Sequence, residues 1–458
     1  MSTGDAKEQL MLATQLINAG SMGHGLPRTK ATRDVRDAAR RHDDIELELR
    51  AQMALVECYL AAYNPARALD TFSWCLATVV QRPQIVSERQ MRLLGFYYPQ
   101  VCQLATYHPD VPNSLLEHMF SGLHAFHKVS EPSLAATHFL KFRLREALGK
   151  SVKDHQELWD AVEAIDSADS DPLKRAIDIA QIEVALEDSV SDSKAMSMAH
   201  RLLTRDIPAT QRARLLRSIM IPLAVQGDWQ EAWEAHLVSY NIDRASKKVS
   251  ELGEHFLYAA STGNWGRLLQ LLVRHLASVR KAVDPWDLLE FLRMSVRALE
   301  LAQMNGKGNV LIPVSIAPIY RWHEFEGLER PTISEAIEIF SRTLTALMDR
   351  FNDRNGSNTL GYEEPMPNFI EVPYSVNLQG SDEDAKVLDT LLRVRALLEC
   401  GQEFDALIVL DSLRSSKFPA ARTLSGQLDL LTSWGRLSMN RNAAHLVHKA
   451  PSKVQEGS

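Results

Sequence analysis

The tripeptide Gly227-Asp228-Trp229 lies between two amphipathic apolar runs, and it recurs as Gly263-Asn264-Trp265 between two others. A glycine can end a helix in the left-handed conformation, and Asp or Asn can begin the next helix by capping its free amides. The aromatic residue that follows can pack across the turn. The two tripeptides therefore predict helical hairpins that stack on one another.

Four segments have the spacing of such hairpins, and they are residues 44–80, 213–240, 249–275 and 387–413. Ala68 and Ala232 stand where two helices would cross too closely for a larger side chain. Less distinctive hairpins are predicted at 8–41, 132–165 and 172–203. Pro222 lies inside an apolar stripe, so it should kink or shorten its helix.

The fold class predicted from these repeats is all-α, a right-handed α-solenoid of stacked antiparallel helix hairpins. Leu and Ala are abundant and β-branched runs are scarce, which also favours helices. The predicted segments are a repeat array at 1–304, an irregular connector at 305–331, a helix at 332–354, a polar Pro-rich loop at 355–382, a C-terminal helical repeat at 383–448 and a disordered tail at 449–458.

The composition is that of an ordinary globular protein, with 45% hydrophobic and 24% charged residues in a chain of 458. A net charge of −7 argues against a nucleic-acid surface over the whole molecule. The four cysteines form no C-x-x-C pair and read as reduced core thiols. The N-terminus has no signal-peptide pattern, and no apolar run approaches the length of a membrane span, so we expect a soluble cytoplasmic protein.

Several strings make the chain resemble an uncharacterised bacterial family built from tetratricopeptide repeats. They are Phe72-Ser73-Trp74-Cys75-Leu76, Tyr107-His108-Pro109, the stretch from Gly253-Glu254-His255 through Gly263-Asn264, and Arg350-Phe351-Asn352-Asp353-Arg354-Asn355-Gly356. The resemblance covers roughly residues 30 to 360. It implies a helical-repeat fold, and it supplies no catalytic residue.

A solenoid offers a long groove, lined by the first helix of each hairpin, to a peptide or a partner helix. The repeat positions place these residues in that groove: Arg50, Met53, Glu57, Arg214, Arg217, Ile221, Leu257 and Ser261. Arg214 and Arg217 could anchor an acidic partner, or they could simply pair with carboxylates of the neighbouring repeat. The Lys and Asn pairing that clamps a peptide carboxylate in chaperone-binding repeat domains is missing.

No complete set of catalytic, cofactor or metal-binding residues is apparent. His124 and His127, like His445 and His448, are three residues apart, but neither pair has further ligands at a suitable spacing. The glycines at 20–25 lack the strand and the Lys-Ser/Thr of a phosphate loop, and no Gly-x-Ser-x-Gly string occurs. Cys75 is expected to be a buried, inert thiol. We therefore expect no enzyme, no cofactor and no metal.

Two further patterns have both a structural and a functional interpretation. The basic run from Arg28 to Arg41 is interleaved with aspartates, which favours intrahelical ion pairs over a phosphate-rich partner. The string Phe96-Tyr97-Tyr98, with Tyr107 and His108, could line a groove or cap a hairpin inside the core. Trp229, Trp233 and Trp265 are expected to pack between repeats.

The function predicted from the sequence is a non-enzymatic scaffold that binds a protein or peptide partner, without membrane or nucleic-acid binding. One alternative is a peptide-sensing regulator, although residues 1–43 contain no recognisable DNA-binding helix. The other is an enzyme with a site in the loop 355–382, where Glu363, Glu364 and Glu371 lie near prolines without an acid–base partner.

Overall fold

The computed structural model describes residues 3–130, 134–150, 155–165, 172–246, 248–313, 316, 329–361, 370, 390, 394 and 403–414. Within these residues the chain is all-helical, and the only β-type pairing is the isolated bridge between Leu311 and Thr332. The α-helices are α1 (Thr3–Ser21), α2 (Leu26–Arg41), α3 (Ile45–Ala61), α4 (Pro65–Gln81), α5 (Glu88–Thr106), α6 (Asn113–Ser130), α7 (Leu134–Leu144), α8 (Gln156–Ala164), α9 (Pro172–Asp188), α10 (Ser193–Leu203), α11 (Ala209–Gln226), α12 (Trp229–Asp243), α13 (Ser250–Ser261), α14 (Trp265–Val279), α15 (Pro285–Ala302), α16 (Ile333–Asn355) and α17 (Glu403–Arg414).

One turn geometry connects helices at four places. A residue with positive φ is followed by Asp or Asn, and the amide of that Asp or Asn donates to the carbonyl five residues earlier. The positive-φ residues are Asp43, Tyr63, Gly227 and Gly263. The residues that follow them are Asp44, Asn64, Asp228 and Asn264. The glycine turns predicted at 227 and 263 are thus confirmed, and two non-glycine residues form the same turn.

Side-chain caps start the helices after three of these turns. Asp44 accepts from the Leu47 amide at 3.0 Å, and Asn64 and Asn264 accept in the same way from amides three residues on. These bonds satisfy amides that would otherwise lack a partner at a helix start. Asp228 makes no such cap. Helix α11 runs through Pro222 to Gln226, so the expected shortening at this proline does not occur.

The chain divides into two compact units, each made of several stretches of the sequence. Unit 1 comprises 1–181, 283–287 and 347–363, and unit 2 comprises 182–282, 288–346 and 364–458. Only part of the predicted segments 305–331, 355–382 and 383–448 is described, and 449–458 lies outside the described residues altogether. Helix α16 occupies the place of the helix predicted at 332–354.

In unit 1 each helix from α1 to α8 packs against the next, and alternate helices α1, α3, α5 and α7 also contact one another. This pattern is expected where antiparallel hairpins stack with their first helices side by side. Leu49 and Met53 of α3 share a buried cluster with Leu94 and Val101 of α5. The hairpin of α5 and α6 was not predicted from the sequence, and it contributes much of this core.

In unit 2 the helices from α10 to α14 also pack in order, and α11 contacts α13. Ala232 is fully buried in α12, as expected for a crossing position. Helices α13 and α15 approach closely at Gly253, where a Cβ atom would lie 2.8 Å from the Cβ of Met294. Phe256 and Phe291 meet edge-to-face in the same helix pair.

Candidate functional site

The predicted groove residues do not form one accessible surface. Met53, Arg217, Leu257 and Ser261 are buried, which removes them from any surface that a partner could contact in this conformation. The Ser261 carbonyl accepts a bond from the amide of Ile370, a residue of the predicted loop 355–382. Of the other four, Glu57, Arg214 and Ile221 are half-buried, and Arg50 is exposed.

The two arginines predicted as partner anchors are occupied by carboxylates of the same unit. Arg214 binds both carboxylate oxygens of Glu183 on α9, with Nε 2.6 Å from Oε1. Arg217 donates from Nη1 to Asp243 at 2.7 Å, and its Nε lies 3.4 Å from Glu254. Pairing with neighbouring helices is therefore correct for both. Burial opposes the charge of Arg217, but Glu254 and Asp243 raise its pKa overall.

Asp243 begins a chain of hydrogen bonds that sequence reasoning did not find. Its Oδ2 is 3.0 Å from Nε2 of His255, whose Nδ1 is 3.1 Å from Nδ1 of His236. Nε2 of His236 in turn lies 3.1 Å from Nε of Arg267. Both histidines and Asp243 are buried. We call Arg217, Asp243, His255, His236 and Arg267 the histidine chain.

The ends of the histidine chain fix the position of every proton in it. Arg267 can only donate, so Nε2 of His236 accepts; an ionised Asp243 can only accept, so Nε2 of His255 donates. Each neutral ring has one donor and one acceptor, and Nδ1 of His236 therefore donates to Nδ1 of His255. The four hydrogen bonds of the histidine chain, counted from Arg217 to Arg267, can all form only when both rings are neutral. Burial lowers the pKa of His236 to about 2, and it also lowers the pKa of His255.

Aromatic rings surround the histidine chain. The imidazole of His236 stacks on Trp233 and on Tyr258, with ring centroids 5.2 and 5.1 Å apart. Tyr240 lies edge-on to His255, and its hydroxyl is 2.9 Å from Nε2 of His275. Trp233 contacts a ring of its own helix α12, so its packing between repeats stays a prediction. Burial lowers the pKa of His275 to about 3.

This arrangement suits a structural role better than catalysis or metal binding. The reacting groups of an enzyme must reach substrate, whereas His236 and His255 are fully buried. The two Nδ1 atoms are close enough to share a metal, but metal binding would leave a proton on Nε2 of His236, facing the Arg267 donor. Among the described residues, no group of three or more His, Cys, Asp or Glu could hold a metal ion.

The basic run on α2 also forms ion pairs, although two of them go to α3 rather than along α2. Arg28 donates to Glu57 at 2.8 Å, and Arg40 lies 2.6 Å from Glu48. Arg36 pairs with the adjacent Asp37 on α2, as predicted for intrahelical ion pairs. The Glu57 carboxylate also lies near the Tyr97 hydroxyl of α5, where burial first and then the Glu57 charge raise the pKa of that hydroxyl to about 12. This groove position is therefore held by two neighbouring helices.

The aromatic string on α5 divides between core and surface. Tyr97 and Tyr98 are buried, and the ring of Tyr98 meets that of Phe72 edge-to-face. Phe96 is 64% exposed. Tyr107 stacks in parallel on Trp286, so it belongs to the interior of unit 1. Only Phe96 is available to a partner.

Two of the family-like strings meet in unit 1, although they are far apart in the sequence. Arg354 donates from Nη1 to the carbonyls of Thr106 and His108, at 2.6 and 3.3 Å, and Arg350 pairs with Asp110 at 2.7 Å. These bonds satisfy carbonyls at the C-terminal end of α5. The strings around 107 and 350 are thus explained by packing.

The remaining predicted candidates have simple locations. Burial raises the pKa of the Cys75 thiol to about 12, in agreement with an inert core thiol. His124 lies edge-on to His138, with centroids 6.3 Å apart. The side chains of the other paired histidines, and the three loop glutamates, lie outside the described residues; they are His127, His445, His448, Glu363, Glu364 and Glu371.

Within the described part of the chain, no helix is both long and apolar enough to cross a membrane. No protein-family model, curated protein or solved structure matches this chain. The resemblance to a bacterial family of tetratricopeptide-repeat proteins therefore stays a prediction.

Proposed function

We propose that the protein is a non-enzymatic scaffold, a right-handed solenoid of tetratricopeptide-like hairpins that binds a protein or peptide partner. The binding surface in this proposal is the outward face of the first helices α3 and α5. Its residues are Arg50, Glu57, Leu93 and Phe96, which we call the α3–α5 surface.

The exposure of Phe96 is the observation that carries the proposal. Its neighbours Tyr97 and Tyr98 are buried, whereas Phe96 leaves 64% of its surface in water. Leu93, three residues earlier on the same helix face, is also partly exposed. Aromatic and arginine side chains dominate the binding energy of many protein interfaces, and Arg50 is exposed on the adjoining helix.

Helices α3 and α5 contact one another, and each carries two residues of the surface. Arg50 and Glu57 are seven residues apart and lie on one face of α3, while Leu49, Met53 and Val56 on the next face pack in the core with α5. The Tyr97 hydroxyl of α5 lies near the Glu57 carboxylate of α3. Rigid helices that hold the contact residues in place reduce the entropy lost on binding.

The chemistry of the surface indicates the kind of partner. Phe96 and Leu93 offer an apolar contact, and Arg50 offers a cation on the neighbouring helix. Glu57 is already paired with Arg28, so its charge is balanced within the protein. We therefore expect a partner segment with an apolar side chain flanked by a carboxylate.

A pair of matched double variants tests the proposal. Arg50→Glu with Phe96→Ala alters the α3–α5 surface. The control, Val80→Ala with Arg82→Glu, makes the same kinds of change at exposed residues on and after the second helix α4. Partners captured from an extract of the source cell should be lost from the first variant and kept by wild type and control, with circular dichroism unchanged in all three. Equal capture by both variants would refute the proposed surface.

A further inference from the structure

The histidine chain has a property that a packed core of ordinary polar pairs lacks. It runs between a group that only donates, Arg267, and a group that only accepts, Asp243. Two neutral rings fit between these ends in a single proton arrangement. A proton added to either ring must place two N–H groups against each other, at His236 and Arg267 or between the two Nδ1 atoms.

We propose that the histidine chain makes the packing of α12 against α13 and α14 acid-sensitive, so that proton uptake by either ring opens this part of unit 2. The proposal is independent of the partner-binding surface, which lies on helices of unit 1. The groups that would separate on opening belong to three helices. Helix α12 carries His236 and Asp243, α13 carries His255, and α14 carries Arg267.

The charges around His236 and His275 give an added proton no compensating partner, and the one carboxylate beside His255 is already shared with Arg217. His236 faces Arg267 from α14 and His255 and Tyr258 from α13, with Tyr240 on its own helix. His255 faces Asp243, but that carboxylate is already bound by Arg217 of α11. The same arginine lies near Glu254 and Glu251 of α13. His275 faces the Tyr240 hydroxyl and lies near Arg274. The nearest formal charge to His236 and His275 is therefore positive.

The buried histidine rings should take up protons more readily when this part of unit 2 is open than when it is closed. Burial first, and then nearby positive groups, lower the pKa of His236 and His275 to about 2 and about 3 from an ordinary 6.5. The proton arrangement of the histidine chain keeps His236 and His255 neutral while it is closed, whereas exposed rings with an ordinary pKa become charged between pH 7.5 and 5.0. The opening equilibrium should then increase about 30-fold for each histidine, and about 1,000-fold for His236 and His255 together.

Hydrogen exchange with peptide-level mass spectrometry on the full chain tests this prediction. After correction for the intrinsic pH dependence of exchange, protection of 232–262 should fall at least 100-fold more than protection of 47–60 between pH 7.5 and 5.0. Equal losses in both segments, or a loss below 10-fold in 232–262, would overturn the proposal.

Two variants separate proton uptake from simple packing. In His236→Gln with His255→Gln, each amide can donate and accept in the chain but cannot take up a proton, so about 1,000-fold of the acid response should disappear. His200→Gln removes a surface histidine of the same unit, paired with Glu231, and should keep the full response. A double glutamine variant that folds and keeps the wild-type response contradicts the proposal.

If the double glutamine variant does not fold, histidine-labelled wild type provides the second test. Carbon-13 NMR should show the His236 and His255 rings neutral in every closed molecule, with their native signals losing intensity as the pH falls. Signals that titrate near pH 6.5 while the native spectrum persists would show that the rings accept protons without opening, which overturns the proposal.

Discussion

Replacing Asp243 by Asn tests the energetic importance of the buried ionic cluster with little change in side-chain shape. The carboxylate is 3% exposed and binds Arg217 at 2.7 Å and His255 at 3.0 Å through the same oxygen. The amide oxygen of Asn can accept both bonds, so the main loss is the negative charge opposite a buried arginine. Removing one partner of a buried ion pair typically costs 3–5 kcal/mol. Arg217 retains Glu254 at 3.4 Å, so we expect about 3 kcal/mol.

Urea unfolding followed by circular dichroism measures this change, and hydrogen exchange of 209–262 assigns the transition to unit 2. The matched control is Glu88→Gln, which makes the equivalent carboxylate-to-amide change in an exposed ion pair with Arg92 and should leave the urea midpoint unchanged. Adding Arg217→Met to Asp243→Asn should cost less than the sum of the single changes, because each single variant leaves a buried charge without its partner. If Asp243→Asn is as stable as the control, the ion pair does not stabilise unit 2 and the reasoning fails.

Three further substitutions, the first with a matched control, test the packing. Gly253→Ala should destabilise the protein, because the new Cβ would lie 2.8 Å from the Cβ of Met294. Its control Gly266→Ala, with no atom within 4 Å of the new Cβ, should be neutral or stabilising by up to about 1 kcal/mol. Equal urea midpoints for the two variants would contradict the close helix approach at Gly253. Ala232→Leu should cost roughly 1–3 kcal/mol through overpacking, and an unchanged melting temperature would show that its crossing position is misassigned. Arg354→Met should cost about 2 kcal/mol by leaving the carbonyls at the end of α5 unsatisfied, which thermal unfolding would detect.

The helical hairpins could be predicted from the sequence because their turns have chemical signals. Gly227 and Gly263 have positive φ, and Asp44, Asn64 and Asn264 cap the following helices. Asp43 and Tyr63 also have positive φ, but neither residue type predicts that conformation from the sequence. The hairpin of α5 and α6 was missed because its turn contains no glycine with positive φ.

The candidate site was harder to predict, because its contacts depend on how hairpins stack. Helical periodicity places Arg214 and Arg217 on one helix, but it does not say that Glu183 and Asp243 lie opposite them. The repeat positions assigned to Met53 and Ser261 were groove positions, and neighbouring helices bury both. The sequence contains one indication of the histidine chain, the family-like string that begins Gly253-Glu254-His255. Its partner Asp243 lies 12 residues earlier and was not part of that string.

Site-specific photo-crosslinking at position 96 shows whether a partner binds the α3–α5 surface. A benzophenone side chain in place of Phe96 keeps an aromatic group on the α3–α5 surface, and the same group at Val80 probes an exposed position on α4. In the source cell, position 96 should give one discrete adduct with a partner protein or peptide, and Arg50→Glu should abolish it. Position 80 should give no such adduct. An identical partner adduct from both positions, or one that persists with Arg50→Glu, would contradict a scaffold that binds through α3 and α5.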